Sequence, residues 1–144
     1  MKWMFKEKPL DNSISQLFFG FVYKISFGDL YYIGSKQFAT DRKMTAKQLK
    51  ERTDQRLTRC RTESDWETYN SSSKLVQKLI ADVGEGNFKF EILKLCKSKQ
   101  ELGYNEIKLQ FQYDVLFDPK SMNDNIGQNL YKGSIGIFPK KDFK

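Results

Sequence analysis

At 144 residues the chain is one domain's worth and long enough to bury a sizeable core. Aromatic residues at 15% exclude a disordered chain, no apolar run approaches the roughly 20 residues of a membrane span, and residues 1–6 lack the continuous apolar core of a signal peptide, so a soluble cytoplasmic protein is expected. A net charge of +7 without a single histidine leaves any hydrolytic chemistry to Tyr, Lys, Arg and carboxylates, a set that favours a hard cation such as Mg²⁺, with Mn²⁺ as its substitute. Cys60 and Cys96, 36 positions apart and in no metal-ligand spacing, are expected to be reduced.

Residues 1–17 read as an N-terminal arm that packs back through Trp3, Met4 and Phe5. Residues 18–34 then read as two strands closed by a Gly28-Asp29 turn, with Phe19, Phe21, Tyr23 and Ile25 alternating onto one face. Residues 41–61 carry eight basic groups and a net charge of +5, so most of the excess charge sits here. That concentration is the footprint of a polyanionic partner, and Arg42, Lys43, Lys47, Lys50, Arg52, Arg56, Arg59 and Arg61 are candidate phosphate contacts. A solvated helix face explains the same charge without a ligand. The absence of Gly and Pro after Thr45 predicts a helix over 46–57.

Ser73 is a candidate cap for a helix whose stripe is Leu75, Val76, Leu79, Ile80 and Val83 and which Gly84 stops. The amides at its start, with Lys74 beside them, could hold a phosphate or simply cap a core helix. Residues 88–95 predict a third strand against the hairpin. Ser98-Lys99-Gln100-Glu101 has the pattern of a capping box, so a helix is expected from here to about Phe117, before Asp118-Pro119. Leu102, Leu109, Tyr113 and Leu116 share its main stripe, and Glu106 falls among them, while Phe111 and Val115 lie opposite. A carboxylate buried alone costs several kcal/mol, of order 3 or more, so Glu106 needs a metal, a cation such as Lys74 or an arginine, or a hydrogen-bond network. Residues 128–144 form a basic tail.

Phe21-Val22-Tyr23 followed nine positions later by Tyr32-Ile33-Gly34 resembles the paired tyrosine signature of the GIY-YIG nucleases, with Phe-Val-Tyr where the family usually has Gly-Ile-Tyr. Glu63-Ser64-Asp65-Trp66-Glu67-Thr68-Tyr69-Asn70-Ser71-Ser72-Ser73-Lys74 resembles a stretch of phage-encoded, free-standing, homing-like relatives, as does Tyr104-Asn105-Glu106 with Gln110. The resemblance covers residues 18–127 and implies an α/β fold: a three-stranded antiparallel sheet flanked by helices, with a basic helical insertion at 41–66. It implies a Mg²⁺-dependent DNA endonuclease in which Glu106 binds the metal and Tyr23, Tyr32, Lys36 and Arg42 act at the scissile phosphate. Arg59 and Arg61 rival Arg42 for the arginine role. Asn123 is the candidate supporting asparagine, with Asn125 as rival and Met122 where a tyrosine is usual. Target selection would fall to the basic insertion, the tail or a partner protein. The competing reading is a non-catalytic nucleic-acid-binding module on the same scaffold.

Overall fold

The computed structural model describes residues 2–127 and 130–135, so most of the basic tail lies outside the described residues. Its centre is a five-stranded sheet in the order β2 (Lys8–Pro9), β1 (Trp3–Phe5), β7 (Lys89–Cys96), β3 (Gly20–Phe27) and β4 (Leu30–Gln37). The hairpin forms as its residues predict: β3 (Gly20–Phe27) pairs antiparallel with β4 (Leu30–Gln37) around Gly28, whose positive φ of 57° suits the turn. Strand β7 (Lys89–Cys96) pairs antiparallel with β3, and the register slips between Val22 and Tyr23, a bulge beside the first signature tyrosine.

Two further strands come from the N-terminal arm. Strand β1 (Trp3–Phe5) lies parallel to β7 and β2 (Lys8–Pro9) pairs with β1, so the sheet has five strands where three were expected. Trp3 is the reason, since its side chain is fully buried against Phe21, Tyr23 and Phe90.

The sheet is buried on both faces. Phe21, Tyr23 and Ile25 pack with Trp66, Val76 and Ile80, whereas Val22, Tyr31 and Ile33 pack with Leu102, Val115 and Leu116. Phe19 joins the second group, not the face of Phe21. It precedes the regular strand and donates its amide to the Cys96 carbonyl, which takes it out of phase.

The basic segment departs furthest from its prediction. Strand β5 (Ala39–Lys43) pairs with β6 (Arg59–Glu63) in a separate two-stranded sheet, and the helix between them, α1 (Ala46–Glu51), has only six residues. Thr45 caps α1 in a full capping box with Gln48, but strand pairing claims the residues downstream.

Helix α2 (Lys74–Val83) starts at Ser73 and ends at Gly84 as expected. Helix α3 (Lys99–Gln112) starts at Ser98, although the Glu101 carboxylate accepts from Lys97 and not from the cap. It stops at Gln112, short of Phe117, because Asp114 takes a left-handed φ of 55° and the Val115 amide reaches back to the Gln110 carbonyl. A short pair, β8 (Asn125–Ile126) and β9 (Leu130–Tyr131), follows. Both cysteines are free, as expected.

Candidate active site

Alternation along β4 puts Tyr32, Gly34 and Lys36 on one face, opposite to Tyr31 and Ile33. Tyr23 of β3 pairs in register with Gly34, and its phenol lies over that glycine. A Cβ at Gly34 would stand 2.6 Å from the Tyr23 hydroxyl and 2.8 Å from the Tyr32 ring. The glycine therefore makes room for two tyrosines, whose ring centroids are 6.2 Å apart.

A third tyrosine joins them from the segment before α2. The Tyr69 ring meets Tyr23 edge-on at 6.0 Å, and the Lys36 ammonium sits 4.3 Å from the Tyr69 centroid while pairing with Asp65 at 2.8 Å. Asp65 is held below the usual carboxylate range by that lysine. Next comes Ser71, buried yet with a φ of 90° that few side chains adopt. Its hydroxyl accepts from the Ser73 amide, its carbonyl accepts from Gln77, and its side chain lies beside both signature tyrosines. Ser72 contacts Tyr32 in the same way.

Glu106 approaches from α3 on the other face and reaches the edge of β4. It is half-buried, lies beside Ser35, and its charge is felt at the Tyr32 phenol. Burial raises its pKa above the ordinary carboxylate range. Among the described residues no lysine or arginine pairs with it, so the ion pair to Lys74 or an arginine weighed above does not form. No described group of three or more His, Cys, Asp and Glu side chains surrounds it either. One unpaired carboxylate beside a hydroxyl suits a hard divalent ion that keeps most of its waters. The donor set therefore fits Mg²⁺ or Mn²⁺.

Both signature tyrosines have raised pKa values. Burial is the main cause at Tyr23, followed by the neighbouring Tyr69, and burial followed by Glu106 raises Tyr32 against the opposing Ser72 contact. Burial at Tyr23 disfavours the phenolate and holds the proton on.

The chain beyond α3 covers the free edge of β4. Asn123, fully buried, accepts from the Ile33 amide at 2.9 Å and donates to its carbonyl at 2.8 Å, which singles it out from Asn125, whose amide caps Gly127. Met122 is buried in the Tyr23 cluster. An open groove of about 260 Å³ leads to Tyr32 past Ser72, Ser73, Lys74, Asp124 and Asn125.

Arg42 is not gathered into this cluster. Its guanidinium is engaged by Thr62, Gln48 and the Lys43 carbonyl within the insertion. Arg59 pairs with Asp41, and Arg61 donates to the Ser15 carbonyl. Lys43, Lys47, Lys50, Arg56, Arg59 and Arg61 are exposed, with Arg52 less so, and Lys74 is exposed at the first turn of α2.

Sequence reasoning passed over Tyr69, Ser71, Ser35 and Asp65. The only signal for the first two was their place in the Trp-Tyr-Ser-Ser-Lys stretch. Asp65 lies in the same quoted stretch, and nothing local marks Ser35, whose place beside Glu106 arises from a contact across the chain.

The fold is that of a nuclease-type domain. The model of the family described as "Putative endonuclease segE, GIY-YIG domain" matches residues 3–131. The chain belongs to this GIY-YIG endonuclease-domain family, and the match takes in the N-terminal strands that the resemblance had left out. No curated protein and no solved structure matches it.

Proposed function

We propose that this protein is a phage-encoded DNA endonuclease that hydrolyses phosphodiester bonds with Mg²⁺, or Mn²⁺ in its place. The observation that carries the reading is the meeting of two β-strand tyrosines and Lys36 on one face with an unpaired, half-buried Glu106 at the same strand's edge. A structural carboxylate would be expected to have a cationic partner.

Glu106, with Ser35 beside it, would hold the cation, which supplies charge neutralisation at the phosphate and its departing oxygen. Tyr32 is the more accessible of the two phenols and faces the groove, so it hydrogen-bonds the phosphate. Tyr23 keeps its proton and orients the attacking water as a hydrogen-bonding phenol, leaving proton acceptance to another base. Lys36 exchanges Asp65 for a phosphate oxygen, a like-for-like swap of anions. Lys74 and the cations of the β5–β6 sheet take flanking phosphates, and Arg42 serves the substrate from there. Asn123 keeps β4 in place.

The test is cleavage of supercoiled and linear DNA with Mg²⁺, with Mn²⁺ and with EDTA, for the native protein and Glu106→Gln. Metal-dependent cutting that the variant loses, with DNA binding kept, is expected. Cutting retained by the variant refutes the assignment of Glu106. A native protein that binds DNA and never cuts is a binding module.

A further inference from the structure

Gln110 is 4% exposed, and its Oε1 is the one buried side-chain polar atom without a partner among the described residues. Its Nε2 donates to the Ile33 carbonyl at 3.0 Å. Reversing the amide would set an oxygen against that carbonyl, so the orientation follows from the bonding. The contact is not needed to satisfy the strand. Asn123 already accepts from the Ile33 amide and donates to the same carbonyl at 2.8 Å. Gln110 thus adds a second donor to a satisfied acceptor while burying an unsatisfied oxygen, and an apolar side chain of equal size would serve stability at least as well.

Its position gives it another use. Gln110 stands one helical turn beyond Glu106, on the same face of α3. Ile33 is the residue between Tyr32 and Gly34, and Glu106 lies beside Ser35 of the same strand. Helix α3 therefore meets β4 at two levels one turn apart, and the Gln110 bond sets the height and rotation of the turn that presents Glu106 to Tyr32.

Resting on the nuclease reading above, we propose that Gln110 is a positioning residue, a buried amide that locks the Glu106-bearing turn of α3 to the Tyr32-Ile33-Gly34 strand. It touches neither substrate nor metal, and it acts through the backbone of β4.

Gln110→Met keeps the volume and removes both the donor and the unpartnered oxygen. The expected result is a melting temperature equal to or above the native one, unchanged KM for DNA, and a kcat lower on the order of 10- to 100-fold, the scale of a small misplacement at a reacting centre. Gln110→Leu, read the same way, covers the case in which methionine packs badly. Calorimetric titration with Mn²⁺ is the second readout, with weaker binding by Gln110→Met expected. Native kcat and native Mn²⁺ affinity in the variant overturn the proposal, as does a fall in kcat matched by a fall in melting temperature, which marks a merely structural residue. A native protein that neither cuts DNA nor binds Mn²⁺ defeats the nuclease reading, and the role of Gln110 falls with it.

Discussion

At the scale of single residues, adjacency in sequence says little about shared chemistry. Tyr31 and Tyr32 are neighbours, yet strand alternation sends Tyr31 to Asp118 and Tyr113 on one face and Tyr32 to the tyrosine cluster on the other. Gly34 is legible as a signature residue, but the need for it is visible only once Tyr23 lies over it. Gly34→Ala drives a methyl to 2.6 Å from the Tyr23 hydroxyl, so a loss of about 1–3 kcal/mol in urea unfolding and at least a tenfold loss in cutting rate are expected. Glu106 yields a prediction in pH. Burial raises its pKa in the fold, so its contribution to stability is complete in acid, below the ordinary carboxylate range, and is lost as pH rises through the raised value. Metal-free Glu106→Gln should therefore melt above the native protein at neutral pH, and the two melting temperatures should converge as pH falls. A difference that stays constant across that range would mean that Glu106 does not titrate as burial requires.

At the scale of elements, the caps and stops were readable and the long-range pairings were not. Ser73, Gly84 and Ser98 mark helix ends by chemistry confined to a few neighbouring residues. The basic segment has good helix formers throughout, but 59–63 finds a partner in 39–43, and cross-strand pairing outweighs helix propensity. One consequence concerns charge: the register sets Lys43 opposite Arg59 and Asp41 opposite Arg61, while Arg42 pairs with Cys60 and turns to Thr62. Replacing Lys43, Arg59 and Arg61 by Gln together should weaken DNA binding and flatten its dependence on salt. For every phosphate that the protein no longer neutralises, the slope of log K against log salt falls in magnitude by about 0.9. Fluorescence anisotropy across a salt series measures it, and an unchanged slope removes this sheet from the interface.

At the scale of the whole molecule, the N-terminal arm is part of the site's support. Trp3 donates from its indole to the Trp66 carbonyl at 2.8 Å, and Lys2 donates to the Thr68 carbonyl at 3.0 Å and to Asn70. Both contacts hold the segment that carries Tyr69 and Ser71. Trp3→Ala should cost about 3–5 kcal/mol in urea unfolding, since it empties a fully buried site between two strands and removes an indole donor. A cost below about 1 kcal/mol would mean that the arm is dispensable to the core.

Local chemistry in the chain was enough for the α/β class, the hairpin, the starts of α2 and α3, and the tyrosines and glutamate as a set of candidates. These depend on turn residues, caps and period-two or helical spacing, all of which act within a few positions. Tertiary structure alone decided that β1 and β2 join the sheet, that the two ends of the basic segment pair as strands around a short helix, that Arg42 stays outside the tyrosine cluster, and that Asn123 and Gln110 converge on one peptide. Each of these rests on an interaction between residues far apart in the chain. Such interactions are decided by competition for burial and hydrogen bonds across the whole fold, a competition that no local pattern records.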